Sequence, residues 1–230
     1  MERTRDADGF RVTERDLAMV AWIGRQRFAQ AVQVARRFRM DERNTYRRLR
    51  GLVAVGLLGQ RRVFHGQAGA YWATRAGLAS AHLHLPPAGI DIRTYEHDRL
   101  ATAVAIDLEL EFGEAAVATE RELRSHDAAA DEPRYGIRRS MSTGRHGLHF
   151  PDLAIETADG RPLAIEVELT AKGRARLDSI INGYVRARHI AGVRYYVAPA
   201  AARGLRRAIG RAGAGELFDV RPVRSRGESR

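Results

Sequence analysis

Apolar residues recur along this chain with two periods, and the alternation between those periods outlines its elements. From Val12 the spacing is helical: Leu17, Val20, Ala21 and Ile23 form a stripe behind Thr13, which can cap, with Asp16 at the capping-box position. A second helix is predicted over residues 29–38, with Val32, Ala35 and Phe38 inward. A third follows from a cap at Asp41 to about Val55, with Tyr46, Leu49, Leu52 and Val53 inward and Arg43, Asn44, Arg47, Arg48 and Arg50 on its polar side. The period then drops to two. Residues 60–63 and 70–73, around the tip His65 to Gly69, read as a β-hairpin, closed by a short helix over 74–81. Residues 82–94 hold Pro86, Pro87 and Gly89 and read as a linker.

Beyond the linker, 95–112 reads as a strong helix ended by Gly113. A short strand over 115–119 continues into 120–124, and 125–147 is polar and arginine-rich, an insertion or a DNA-contacting loop. Two alternating runs, 152–157 and 162–170, flank the turn signal Ala158, Asp159, Gly160. After them come a helix over 173–189 with Tyr184 inward, a strand over 193–198, a helix over 199–211, a strand over 217–223 and a polar tail from 224. The expected organisation is a domain over 1–81, a linker over 82–94 and a second domain over 95–223, of α/β (α+β overall) class.

Composition adds boundaries. The chain has 230 residues, 44% hydrophobic and 29% charged, with no cysteine, which excludes disulfides and cysteine-ligated zinc. No run approaches a membrane span, and the first residues are charged where a signal peptide is apolar, so a cytoplasmic setting without membrane partners is expected. The net charge of +11 is unevenly placed. Residues 1–81 carry 16 Arg against 7 Asp or Glu, whereas 82–230 carry 23 Arg or Lys against 21. A basic first third is the footprint of a polyanion-binding module.

Three helices followed by a two-stranded wing resemble a winged helix-turn-helix, whose third helix enters the DNA major groove. Arg43, Asn44, Arg47 and Arg48 are then the candidates for base edges or phosphates, and Arg61 and Arg62 on the wing for phosphates. A three-helix docking module with solvated arginines is the alternative. The partner expected is double-stranded DNA, with a homodimer possible for double-strand cleavage.

The chemistry concentrates in 151–172. Asp152 opens the first strand of the hairpin, and Glu166 and Glu168 lie two apart on the second, hence on one face. Lys172 follows, the single lysine among 39 basic residues. Hydrolysis of a phosphodiester requires neutralised oxygens and an activated water, and Mg²⁺ (or Mn²⁺) held by carboxylates supplies both. Asp152 and Glu166 are the candidate ligands, with the carbonyl of Val167 as a third. Glu168 could orient or deprotonate the water, Lys172 could reach the scissile phosphate, and Glu120 could approach from the preceding strand. An exposed hairpin face balanced by arginines is the alternative. His97 is read as a cap, His146 and His149 as a polar loop pair, and Tyr195 and Tyr196 as alternating between core and surface. His82 and His84 spell a His-hydrophobic-His pattern of relaxases, but in a Pro-Pro linker.

The pattern Pro151-Asp152, Glu166-Val167-Glu168 and Lys172, in the order helix, three strands, helix, strand, resembles the PD-(D/E)xK nuclease core, αβββαβ, of restriction endonucleases. The wider text resembles the replication-relaxation (Mob-like) family of actinobacterial mobile elements: an N-terminal winged helix, a helix entered by His97, the segment Thr119 to Arg124, and HFPDLAI, LAIEVELTAKG and VRYYVA. That resemblance spans about residues 12–222 and implies DNA work in plasmid or mobile-element replication or mobilisation. The family pattern carries Lys where Glu168 stands; some restriction endonucleases of this fold use Glu there. Two functions therefore follow, a Mg²⁺-dependent endonuclease that nicks or cleaves DNA, or a non-catalytic DNA-binding regulator with a decayed nuclease fold.

Overall fold

A computed structural model describes residues 10–140 and 146–223. The chain forms two compact units, Met1–Glu111 and Phe112–Arg230. No described helix is long and apolar enough to cross a membrane.

In the first unit, α1 (Glu14–Arg25) starts as its sequence indicates: Thr13 and Asp16 close a reciprocal capping box. A two-residue strand, β1 (Ala29–Gln30), precedes α2 (Ala31–Phe38), and the chain then turns through Arg39, in the left-handed region with φ 50°, into α3 (Glu42–Ala54). Asp41 caps α3 by accepting from the Asn44 amide at 2.8 Å. β2 (Leu58–Arg61) and β3 (Ala70–Ala73) form the hairpin, and β1 joins β3, giving an antiparallel sheet of order β1-β3-β2. Helix, strand, helix, helix and hairpin make a winged helix-turn-helix topology. The short α4 (Arg75–Ser80) follows, capped by Thr74. Met19, Trp22, Ile23, Val34, Leu49, Leu52 and Tyr71 form the core.

The domain boundary differs from the expected one. The helix α5 (Tyr95–Phe112) belongs with the first unit up to Glu111, and the linker over 82–94 is internal to that unit. Ile106 enters the first core, Tyr95 stacks on Phe28 at 4.7 Å between centroids, and Trp22 Nε1 donates to Glu109 Oε2 at 2.8 Å. Gln33 Nε2 donates to the Arg99 carbonyl at 2.8 Å and Thr102 Oγ1 to that of Phe28 at 3.1 Å. The periodicity of 95–112 marks a helix with an apolar face; it does not say which core that face completes.

The second unit is a mixed α/β layer. Its strands β4 (Val117–Thr119), β7 (Leu153–Glu156) and β8 (Pro162–Glu168) are antiparallel neighbours. From β8 the chain crosses by α7 (Arg174–Arg186) to parallel β9 (Gly192–Val197), then by α8 (Pro199–Ala212) to parallel β10 (Phe218–Pro222). The sheet order is β10-β9-β8-β7-β4. Parallel neighbours need such crossovers, and α7 and α8 cover the face of the sheet that carries Ala164; β8 is buried along nearly all its length. Ala164, Leu177, Ile181, Tyr184, Val193, Tyr195 and Leu205 lie in this core.

Two expectations for 120–147 are corrected. Residues 120–124 are not strand: Thr119 and Glu122 form a capping box and start α6 (Glu120–Ala128). The described part of 125–147 is not a plain loop either, since it ends α6 and contributes the hairpin of β5 (Ile137–Ser140) and β6 (His146–His149). The turn before β5 is organised by Asp127, whose carboxylate accepts from the amides of Arg134, Tyr135 and Gly136 at 3.0, 3.0 and 2.7 Å. The hairpin lies against α7 at Gly183, where a Cβ would come within 3.0 Å of the Arg138 carbonyl.

Candidate functional site

Two regions carry candidate chemistry, one in each unit. On α3 the inward stripe is Thr45, Leu49 and Leu52, all fully buried. The opposite stripe, at positions 43, 46, 47 and 50, presents Arg43, Tyr46, Arg47 and Arg50 to solvent. Tyr46, expected inward, is 37% exposed because it lies on this second stripe. Asn44 is half-buried, and its side-chain oxygen accepts from Arg47 at 2.7 Å. Arg61 and Arg62, at the end of β2 and just beyond it, are exposed.

Arg48 departs from its expected place among the groove-facing residues. Its Nε donates to Asp16 Oδ1 at 2.8 Å, its NH2 to Asp16 Oδ2 and to the Arg11 carbonyl, and its guanidinium lies 4.3 Å from the centroid of Phe10. Asp16 is buried. Burial opposes its ionisation, but the Arg48 and Thr13 hydrogen bonds outweigh that and hold its carboxyl below the ordinary value.

In the second unit the β7–β8 pairing, with Leu153 opposite Ile165, sets Asp152 beside the Glu166 end of β8, whereas Glu156 and Asp159 lie at the turn end. Asp152 sits just before β7 and its Oδ2 accepts from the Val167 amide at 2.7 Å, which ties the strand start to β8. Glu166 and Glu168 share one face of β8, opposite Tyr195 and Val197 of β9, and each is only 5% exposed. Neither is the exposed hairpin charge of the alternative reading. Lys172 is ion-paired to Glu168.

Glu166 has two partners on the same oxygen. His149 Nε2 lies 2.6 Å from Oε1, and the Tyr184 hydroxyl donates to it as well. Burial opposes the charge on Glu166, but the His149 charge and both hydrogen bonds prevail and keep its carboxyl below the ordinary value. Burial likewise opposes a charge on His149, yet the Glu166 carboxylate outweighs it and pushes the His149 pKa up. The Tyr184 and Tyr195 phenols are raised well above 10 by burial first and by the surrounding carboxylates next. Tyr184 thus remains a hydrogen-bond donor rather than a phenolate nucleophile.

The remaining candidates are distributed otherwise. Glu120 starts α6 rather than lying on a strand; its amide donates to the Asp152 carbonyl at 2.8 Å, and its side chain pairs with Arg124 at 2.8 Å. His97 lies on α5 with Nδ1 3.4 Å from Asp98. His82 and His84 follow α4 outside any strand, and Tyr196 is half-buried. The backbone of His146 pairs with Ser140, and its side chain lies outside the described residues. His149 was legible only as half of a polar pair: the signal was its alternation with Leu148 and Phe150 just before Asp152, which places it on a strand.

Among the described residues no three His, Asp or Glu side chains gather as a metal-binding group. Asp152 and Glu166 are both carboxylates, the donor type that a hard cation such as Mg²⁺ or Mn²⁺ takes.

No family model and no curated protein matches the chain. Among solved structures it is similar to a cysteine-to-serine mutant of Lactococcus lactis ZitR, at 15% identity over 56% of this chain and 76% of that one, with a TM-score of 0.29. The same ZitR mutant in complex with DNA gives 14% identity, 56% and 80% coverage and a TM-score of 0.29. PigF with SAH gives 20% identity over 90% of this chain and 55% of that one, with a TM-score of 0.25. Likenesses this slight assign neither fold nor function.

Proposed function

We propose that this chain binds duplex DNA through its winged helix-turn-helix unit and that its second unit is a PD-(D/E)xK-like domain that nicks or cleaves the bound DNA with Mg²⁺ or Mn²⁺. The observation that carries DNA binding is the solvent-facing stripe Arg43, Tyr46, Arg47 and Arg50 on α3, with Arg61 and Arg62 on the wing. Three of its four side chains are guanidiniums, which pair with phosphates or guanine edges, and the fourth is an aromatic. Arg48 is committed to Asp16 and is not part of this surface.

The nuclease reading is supported by the sheet neighbours β4, β7 and β8, with α6 and the β5–β6 hairpin inserted between β4 and β7 in the chain, followed by α7 and parallel β9, and by Asp152 just before β7 and Glu166 on β8. In it Asp152 and Glu166, with the Val167 carbonyl, would hold the metal, which would supply charge neutralisation at the phosphate. The chain's own groups do the rest. The Val167 amide orients Asp152, and His149 and Tyr184 fix the Glu166 carboxylate and keep it ionised. Glu168 is the acceptor for a proton from water, and Lys172, beside it, is the cation nearest that task.

A second reading, a DNA-binding regulator without catalysis, is favoured by one specific observation: Lys172 and Glu168 satisfy each other, and Glu166 is satisfied by His149 and Tyr184. A plasmid-nicking assay with Mg²⁺ or Mn²⁺, run beside fluorescence anisotropy on a labelled duplex, separates them. Nicking abolished by Asp152→Ala and by Glu166→Ala, with DNA affinity retained, is expected. Nicking that survives both substitutions rejects the site, and binding without nicking in the unaltered chain selects the second reading. Arg43→Glu with Arg47→Glu is expected to lower affinity by at least about tenfold, as removal of two phosphate contacts should.

A further inference from the structure

The near balance of charge after residue 81 conceals a segregation. Residues 82–171 carry 9 Arg against 17 Asp or Glu, whereas residues 172–212 carry 10 Lys or Arg and a single acidic residue, Asp178. The second segment holds both crossover helices of the second unit, α7 and α8. On α8, Ala201, Leu205, Ala208 and Ile209 are buried against the sheet, and Arg203, Arg206, Arg207 and Arg211 are exposed on the other side. Arg211 bonds to Asp178 of α7, which uses up the one local carboxylate. Arg203, Arg206 and Arg207 have no ion-pair partner among the described residues.

We propose that the solvent face of α8 is a second phosphate-binding surface for duplex DNA, distinct from α3 and the wing. Arg203 with Arg206 and Arg203 with Arg207 are like charges at helical neighbour spacing, where they oppose the helix unless an anion lies between them. A surface chosen for stability alone would interleave Glu, and α8 contains no acidic residue. Gly204 and Gly210 sit on the same exposed face, with no atom within 4 Å of where a Cβ would be. Glycine there weakens the helix and packs nothing, but it leaves the backbone open to close approach by a bulky ligand between arginines. Arg203 and Arg207 lie about 6 Å apart along the helix axis, and exposed guanidiniums on that scale face several phosphates of a duplex, which carries one charge per about 1.7 Å. The sheet-facing side of α8 supplies the rigidity, and the arginines supply contacts that hold register without reading sequence.

The test uses the full-length chain and a fluorescein-labelled duplex of about three helical turns, titrated by anisotropy from about 50 to about 200 mM salt. Arg203→Glu/Arg206→Glu/Arg207→Glu is expected to weaken binding by at least about tenfold and to reduce the slope of log K against log salt by about 2.7, as loss of three phosphate contacts predicts. The Gln triple variant, which removes charge without reversing it, is expected to shift both in the same direction, with unchanged thermal melting. Unaltered affinity and slope in both variants, alongside loss in Arg43→Glu/Arg47→Glu, overturns this proposal and leaves the winged-helix reading intact. Loss in the α8 variants with no effect at Arg43 and Arg47 retains this proposal and rejects that reading. A chain that ignores DNA but binds poly-L-glutamate through α8 assigns the face to an acidic protein and overturns it.

Discussion

Arg47 and Arg48 are adjacent in sequence and, at about 100° per residue around a helix, face different surroundings. Among the described residues Arg47 donates to Asn44 and is otherwise exposed, whereas Arg48 forks onto Asp16, a residue 1% exposed that also completes the cap of α1. Arg48→Ala is therefore expected to cost about 3 kcal/mol, because it leaves a buried carboxylate without its counter-charge. Urea unfolding followed by tryptophan fluorescence measures this directly, since Trp22 and Trp72 both lie in the first unit. Arg48→Lys keeps the charge but loses the two-pronged contact and is expected to recover only part of the stability. Arg47→Ala should leave the urea midpoint in place; an equal loss in both variants would remove the distinction drawn between them.

At the scale of elements, the connection from α6 to β5 depends on one carboxylate. Burial opposes the charge on Asp127, but the amides of Gly136, Tyr135 and Arg134 and a hydrogen bond from His126 overcome it and hold its pKa below 3.8. For a depressed acid the stabilisation is complete above the unfolded value and disappears as pH falls through the lower folded one. The protection factors of the amides of residues 134–136, taken against their intrinsic exchange rates, are accordingly expected to stay high down to about pH 4 and to fall below it. Asp127→Ala should abolish that protection at all pH values and destabilise the second unit by about 2 kcal/mol. Protection unchanged in the variant would mean that β5 and β6 hold the turn without Asp127.

For the whole molecule, the distribution of charge matters more than its total. Along the chain, the basic segments 1–81 and 172–212 flank a stretch, 82–171, with 9 Arg against 17 acidic residues that include Asp152, Glu166 and Glu168. DNA affinity is expected to fall steeply with salt, by about 0.9 in log K per tenfold rise in salt for each phosphate neutralised. Anisotropy titrations of the unaltered chain between about 50 and about 200 mM salt measure it, and a flat response would contradict both proposed phosphate surfaces.

What the chain determined by itself is what short windows encode. The cap at Thr13 and the turn at Gly160 depend on residues within a few positions of one another, and each reads directly from spacing, whereas the stripe expected on α1 shifts: Val20 and Ile23 are buried with Met19 and Trp22, and Leu17 and Ala21 are only half-buried. The shared face of Glu166 and Glu168 follows from the pleat of the strand. Tertiary structure decided the rest, because those choices rest on partners distant in sequence. Tyr46 and Leu49 both look like inward residues of α3 until the core selects the stripe through Leu49. Arg48 finds Asp16 32 positions away, Trp22 finds Glu109 87 away and so draws α5 into the first unit, and Glu166 is met by His149 and Tyr184 from 17 and 18 away. A buried carboxylate must acquire such partners or lose its charge, but its sequence neighbours carry no record of which side chains the fold will bring.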